Sequence, residues 1–285
     1  MFGLIQFIKR HSLITGLVLM FILTWPIDLA NSGILPFHVP FFIYIFMGWG
    51  FIFASLIMTG FTRGKGAVIE LLKRFLIWRV SGRWYLLAFL LFPSIFISAV
   101  LLNAVFTQSP IDLSTAMAYQ IFGQSARLPI LVLPFFLFDA LTNGEEMGWR
   151  GYILPRLQAK HNALVSSLIL GLIWGFWHLP KYLAPGSTGS FIAGMVKILA
   201  EAILYTWLYN NTKGSLLLAT ILHASGNTAG VFLPIANTVS GNNMNVLIIA
   251  IALEILAAVL VIRYSNIMSL SRKTPIEKQF VNTGA

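Results

Sequence analysis

The sequence predicts an all-α polytopic membrane protein with about eight transmembrane helices. Hydrophobic residues make up 58% of its 285 residues, whereas a soluble globular domain has about 45–50%. Charged residues make up only 10%, against about 25% in a soluble domain. Apolar runs of transmembrane length recur along the chain, and backbone polar groups in lipid must pair within their own segment. The composition therefore excludes a soluble, disordered or fibrous protein.

Eight apolar runs are the candidate spans, since about 20 residues cross a bilayer as a helix. They cover residues 12–30, 36–60, 84–106, 130–156, 163–180, 189–209, 215–236 and 244–263. The first run follows two basic residues, as in a signal peptide, but seven runs follow it and no small-x-small cleavage site ends it. No polar stretch between runs is long enough for a soluble domain. We therefore expect a single transmembrane domain over residues 1–285.

The segment before the third span has a different pattern. Over residues 66–83, apolar residues alternate with Glu70, Lys73, Arg74 and Arg79 at near-helical spacing. This pattern predicts a basic amphipathic helix lying on the cytoplasmic leaflet. The alternative is a solvated basic loop.

The distribution of positive charge predicts the orientation in the membrane. With a cytoplasmic N-terminus, 16 of the 19 Lys and Arg fall in cytoplasmic segments, Arg127 and Lys181 fall outside, and Lys197 lies in a span. This bias follows the positive-inside rule and predicts that both termini are cytoplasmic. Because the basic residues flank apolar runs, we interpret the net charge of +10 as contact with anionic lipids and not with nucleic acid. Cysteine is absent, which excludes disulfides and a thiol nucleophile.

The fourth span carries the motif Glu145-Glu146-Met147-Gly148-Trp149-Arg150. Charges within a span are costly, so each is by default a functional-site hypothesis. Glu146 and Arg150 are four residues apart, share a helix face and can form an ion pair. Glu145 lies about 100° round the helix and is free to face another group, as a general base must. A structural charge cluster near the membrane boundary is the alternative.

The fifth span ends in Trp174-Gly175-Phe176-Trp177-His178, two residues before Pro180. Pro180 restrains the preceding residue, so the helix is expected to end near His178. An imidazole at a helix end can donate, accept or bind a metal. Taken alone, the motif is more typical of an interfacial histidine in an aromatic belt.

The seventh span carries His223-Ala224-Ser225-Gly226-Asn227. His223 and Asn227 project together and can donate to one oxygen, although a polar contact between helices is the simpler interpretation of this motif alone. Counted from the cytoplasmic loops, Glu145, His178 and His223 lie at depths of about 18, 22 and 15 Å. These matched depths favour one buried constellation.

The three motifs match, in order, the EExxxR, (F/W)xxxH and HxxxN motifs of a known family. The sequence resembles the type II CAAX prenyl endopeptidase-like group, also called the CPBP or Abi family. That family includes CAAX-processing proteases and bacterial proteins linked to bacteriocin self-immunity. The resemblance covers a motif-bearing core of about residues 130–230. It implies an integral membrane protein, which we expect in a bacterial cell membrane.

The resemblance also implies an intramembrane endopeptidase that hydrolyses a peptide bond of a membrane-associated or lipidated peptide or protein. Glu145 would activate the hydrolytic water and His178 would help to position it, while His223 and Asn227 would hold the oxyanion. The supporting residues are Glu146, Arg150 and Trp174. No cofactor is favoured. The alternative is a metal-assisted reaction, with a divalent ion such as zinc held by Glu145, His178 and His223.

Two other functions stay open. One is a non-catalytic membrane immunity or scaffold protein that keeps the fold, although the intact motif residues argue against lost chemistry. The other, less favoured, is a transporter, for which paired broken helices in two sequence halves would be expected.

Four further ionisable residues fall within spans, and we interpret them as structural. Lys197 and Glu201 are four residues apart and are expected to pair. Asp139 precedes Glu146 by seven residues, so it is expected to share that face and join the Arg150 network. Glu254 has no partner nearby in the sequence.

Overall fold

A computed structural model describes residues 2–40, 43, 46–123, 128–187, 189–235 and 243–270. The described part of the chain is helical and contains no strand. Its α-helices are α1 (Phe2–Arg10), α2 (Ser12–Asn31), α3 (Trp49–Lys73), α4 (Gly82–Thr107), α5 (Met117–Phe122), α6 (Leu128–Thr142), α7 (Leu154–Gln158), α8 (Ala163–Trp177), α9 (Leu179–Leu183), α10 (Phe191–Asn211), α11 (Leu216–Phe232) and α12 (Met244–Tyr264). The predicted all-α membrane class is confirmed.

The predicted number of eight spans is not confirmed. Five segments within the described residues are long and apolar enough to cross a membrane: Ser12–Asn31, Gly82–Thr107, Ala163–Leu183, Phe191–Asn211 and Met244–Tyr264. Two shorter apolar helices, Pro129–Thr142 and Leu216–Phe232, coincide with parts of the fourth and seventh predicted spans. Parts of the predicted spans 36–60 and 215–236 lie outside the described residues. The same holds for four of the basic residues considered for the orientation, Arg127, Arg272, Lys273 and Lys278.

The prediction of one amphipathic helix over residues 66–83 is wrong in its boundaries, because the helical segment ends before residue 77. Its first part continues α3 beyond Gly64, whose φ of 81° interrupts the helical backbone in a region that favours glycine. A 3₁₀ turn, Arg74–Leu76, then ends the helix, and residues 77–81 are not helical. Arg74 is only 7% exposed and donates to the Gly151 carbonyl at 3.2 Å and to the Tyr209 hydroxyl at 2.8 Å. The segment is therefore anchored in the protein interior at Arg74.

The predicted span 130–156 is broken in the middle. Helix α6 ends at Thr142, residues 143–144 are not helical, and a π-helix, Met147–Ile153, leads into α7. The backbones of Gly144 and Gly48 approach so closely that a Cβ on Gly144 would overlap the Gly48 carbonyl oxygen. Irregular backbone at membrane depth is tolerated where protein covers it, and the π-helix is buried along its whole length.

The helices that carry the three motifs pack around this π-helix. Helix α8 packs on α10, and α11 packs on α4 and α6. The π-helix itself contacts α3, α8 and α11. Residues distant in the chain are thereby brought to one interior region.

A buried ion cluster joins α10 to α12. Lys197 pairs with Glu201, as the spacing predicts. The Lys197 Nζ also lies 3.6 Å from Oε1 of Glu254, whose side chain is fully buried. The partner of Glu254 therefore comes from a neighbouring helix and not from its own.

Candidate active site

Glu146 is the centre of a buried charge network. Its Oε1 accepts from Arg150 at 2.9 Å and lies 2.8 Å from Nδ1 of His223. Arg150 is fully buried, and its guanidinium lies 4.5 Å from the ring centroid of Trp174 and 4.2 Å from that of Tyr205. The i, i+4 pair of Glu146 and Arg150 predicted from the sequence is confirmed, and it is extended by His223.

Glu145 faces away from this pair, and its two oxygens have different surroundings. Its Oε2 accepts from the indole N–H of Trp149 at 3.2 Å and of Trp174 at 3.0 Å. Its Oε1 lies 4.0 Å from Nε2 of His223. That separation is too long for a direct hydrogen bond, and a bridging water is the ordinary way for two polar groups to interact across it.

His223 links the two glutamates. Its ring packs against the rings of Trp174 and Tyr205, with centroid separations of 5.9 and 5.8 Å. When both nitrogens are protonated, Nδ1 donates to Glu146 while Nε2 points towards Glu145. In that state the charges of Arg150 and the imidazolium balance those of the two carboxylates.

His178 lies where α8 ends, close to the position that the sequence predicts. Helix α8 stops at Trp177, and the short α9 begins at Leu179. The Nδ1 of His178 lies 3.0 Å from the Trp174 carbonyl oxygen, and the His178 side chain interacts electrostatically with Glu145 and His223.

The turn that carries His178 is held by α2. The indole of Trp25 donates to the Trp177 carbonyl at 3.0 Å, and the Trp177 indole donates to Oγ1 of Thr24 at 2.8 Å. Two hydrogen bonds from one helix therefore restrain the residue just before His178.

Asn227 lies at the edge of the site. It is exposed at the contact between α11 and α6, and its Nδ2 donates to both oxygens of Asp139 at 3.2 Å each. The expectation that Asp139 joins the Arg150 network is therefore wrong. The helix breaks between Asp139 and Glu146, so the seven-residue spacing does not place them on one face.

The residues considered as zinc ligands do not form a ligand set. Among the described residues, no three His, Asp or Glu side chains are grouped closely enough to hold a metal ion. Nδ1 of His223 is turned to Glu146, and Oε2 of Glu145 already accepts from two indoles. The other atoms of two of these groups, Nε2 of His223 and Oε1 of Glu145, lie 4.0 Å apart, and the absence of a metal cofactor stays a prediction.

Two residues at the site, Trp149 and Tyr205, were given no role in the sequence-based prediction. Trp149 follows Glu145 by four residues, the same spacing that identifies the partner of Glu146, so this contact was available from the sequence. Tyr205 contacts Arg150 and His223 from α10. No pattern in the sequence around Tyr205 distinguishes it from other aromatic residues of a buried helix.

Comparisons with known proteins agree with the three motifs. Residues 125–229 match the family model "Type II CAAX prenyl endopeptidase Rce1-like". CAAX prenyl protease 2 of Methanococcus maripaludis is 28% identical over 144 residues, which is 47% of this chain and 51% of that relative. The match thus spans about half the length of the relative. The predicted resemblance to CAAX prenyl endopeptidases is confirmed, and an integral membrane protein is consistent with both the resemblance and the apolar helices.

Proposed function

We propose that the chain is an intramembrane endopeptidase that hydrolyses a peptide bond of a membrane-associated or lipidated substrate, with Glu145 as the base that activates water. The observation that carries this proposal is the arrangement of Glu145. Two indole N–H groups hold its Oε2, and its Oε1 is left facing an imidazole across 4.0 Å. A carboxylate with one oxygen anchored and the other open is oriented to take a proton from a water.

The water would lie between Oε1 of Glu145 and the two histidines. His178 interacts electrostatically with Glu145 and would help to position the water, because its turn is restrained by α2. Attack of this water on a peptide carbonyl gives a tetrahedral intermediate with a negative oxygen. The proton taken by Glu145 then passes to the leaving amine, so the base is regenerated at the end of the cycle.

His223 and Asn227 would stabilise that oxygen. They are four residues apart on α11 and both can donate an N–H. Glu146 orients the His223 ring through Nδ1 and leaves Nε2 to face the reacting atoms. Preorganised donors of this kind are worth about 2.7–4 kcal/mol each in acyl transfer.

The position of Asn227 supports access for a substrate from the membrane. A polar amide and a carboxylate meet at the exposed contact of α6 and α11, and polar groups at membrane depth ordinarily face a cavity or a pathway and not lipid. We propose that the substrate reaches Glu145 along this contact. The name of the archaeal relative supports a CAAX-type prenylated C-terminus as the first substrate class to test.

We propose that the reaction uses no metal, which is supported by the lack of a grouped set of three His, Asp or Glu side chains among the described residues. The test uses purified protein reconstituted in vesicles and quenched fluorogenic peptides with and without a prenylated cysteine. We expect the wild type to cleave at least one of them with a chelator present. Glu145→Gln should abolish turnover while keeping the thermal midpoint, because the amide keeps the shape but cannot take the proton.

The matched control is Glu70→Gln, which removes a carboxylate from an exposed pair with Lys73 and should leave turnover unchanged. Cleavage that persists in Glu145→Gln would overturn the assignment of the base. Loss of activity on chelation, with recovery on adding zinc, would overturn the metal-independent mechanism. If the wild type cleaves no peptide, the alternatives of an immunity protein or a transporter would be favoured over the peptidase.

A further inference from the structure

Asp139 is an ionisable residue of α6 that the proposed mechanism does not use. Both of its carboxylate oxygens lie 3.2 Å from Nδ2 of Asn227 on α11. It also interacts electrostatically with His223 and Glu145. Asp139 therefore contacts one proposed oxyanion donor and interacts electrostatically with the other donor and with the base.

A separate chain of hydrogen bonds connects the backbone of α6 to the segment that carries the base. The backbone N–H of Asn143 donates to the backbone carbonyl of Asp139 at 2.8 Å, a bond that does not involve the Asp139 carboxylate. The Asn143 side-chain oxygen in turn accepts from the backbone N–H of Glu145 at 2.9 Å. Asn143 lies at the break between α6 and the π-helix, so this chain crosses the irregular backbone that ends just before Glu145.

We propose that Asp139 is a positioning residue, which orients the Asn227 amide towards the oxyanion. This inference rests on the proposed peptidase function. It adds a residue that the three sequence motifs do not contain.

The chemistry of the amide explains the role. A side-chain amide has two N–H donors and one oxygen on a freely rotating group. When the Asp139 carboxylate accepts from one amide N–H of Asn227, the amide cannot rotate to place its own oxygen against the carboxylate. The second N–H of the amide stays available to the substrate. A hydrogen bond to an ionised acceptor is also stronger than a neutral one. Asp139 therefore holds Asn227 in the donor orientation before the substrate arrives.

A purely structural role for Asp139, as a contact between α6 and α11, predicts a different outcome. A structural contact would change stability and would act independently of Asn227. A positioning residue acts through Asn227, so its removal should have no further effect when the amide is already gone.

The test is a double-mutant cycle with Asp139→Ala and Asn227→Ala. Asn227→Ala should lower kcat by about 10²–10³-fold with little change in KM. Asp139→Ala should lower kcat by at least about 10-fold, also without a change in KM, because the amide contributes only in the transition state. The double variant should be no slower than Asn227→Ala. Asp139→Asn, which keeps an acceptor oxygen, should retain more activity than Asp139→Ala.

Asp112→Ala is the matched control, because Asp112 is an exposed aspartate outside the three motifs and its side chain accepts from Ser114. Its kcat and KM should equal those of the wild type. If the Asp139 and Asn227 effects multiply in the double variant, or if Asp139→Ala alters only KM or the thermal midpoint, the positioning role is overturned.

A second measurement separates this inference from the proposed function. In protein labelled with ¹⁵N-asparagine, the side-chain amide of Asn227, assigned by its loss in Asn227→Ala, should give one N–H protected from exchange. Asp139→Ala should remove that protection and Asp112→Ala should not. An amide signal unaffected by Asp139→Ala overturns the inference. A wild type that cleaves no peptide but keeps this protection overturns the proposed function and leaves the orientation of Asn227 supported.

Discussion

Glu145 and Glu146 are neighbours in the chain but have different environments. Glu146 is 1% exposed and shares one oxygen between Arg150 and His223. Glu145 accepts from two neutral indoles and keeps an oxygen available to the site. The difference arises because the residues that follow, Trp149 and Arg150, each reach back four positions to a different glutamate. We therefore expect their substitutions to separate catalysis from stability.

The prediction at this scale concerns Glu146 and Arg150. Glu146→Gln or Arg150→Ala should lower the free energy of unfolding by about 3–5 kcal/mol, since each leaves a buried charge without its partner. Thermal midpoints in detergent, measured beside Glu145→Gln, check this expectation. A stable but inactive Glu146→Gln together with an active Glu145→Gln would mean that the two roles are reversed.

At the scale of elements, the break between α6 and the π-helix directs Glu145 into the site. The break depends on the close approach of Gly144 to the backbone of Gly48, at the start of α3. A continuous helix through residues 142–146 would turn Glu145 to a different face. A π-helix follows at once, and π-helical turns occur frequently at functional sites.

Gly144→Ala should therefore be strongly destabilising. The added methyl group meets a backbone carbonyl, which cannot move aside as a side chain can, so we expect a cost of at least about 1–3 kcal/mol. Gly60→Ala is the control, because Gly60 lies in α3 and a Cβ there makes ordinary contact with Val68 at 3.5 Å. Thermal midpoints should fall for Gly144→Ala and hold for Gly60→Ala. Equal midpoints would show that the approach of the two glycines is not what shapes the break.

At the scale of the whole molecule, the orientation in the membrane stays a prediction from charge. It rests on 16 of 19 Lys and Arg falling on one side of the proposed topology, and moving basic residues across a membrane is unfavourable. The orientation decides which compartment the exposed end of the Asn227–Asp139 contact faces. Under the proposed peptidase function, it would also decide on which side of the membrane the product is released.

Reporter fusions test the orientation. A reporter fused at Gly284 should be cytoplasmic, and one inserted in the 110–116 loop should be on the other side of the membrane. If the protein has the opposite orientation, the reporter at Gly284 should lie outside and the reporter in the 110–116 loop should be cytoplasmic. Five predicted spans separate the two positions, so signals on the same side would contradict the predicted topology and remove the matched-depth argument for the site.

The sequence by itself determined the class of the molecule and the identity of its chemical groups. Composition together with apolar runs of about 20 residues was enough to predict a helical membrane protein, because a helix pairs every backbone group within its own segment. A spacing of four residues was enough to predict the pairs Glu146–Arg150 and Lys197–Glu201, since residues four apart are neighbours on a helix surface. The three motifs also identified the resemblance without any structure.

Only the tertiary structure decided the contacts between helices and the places where helices are irregular. The position of Asp139 beside Asn227, of Glu254 beside Lys197 and of Tyr205 against Arg150 depends on which helices pack together. The end of the amphipathic segment at Arg74 depends on acceptors supplied by Gly151 and Tyr209. The break at Gly144 depends on the backbone of Gly48. In each case the contacting residue lies more than 50 positions away in the chain. The spacing of neighbouring residues in the sequence therefore cannot predict the contact.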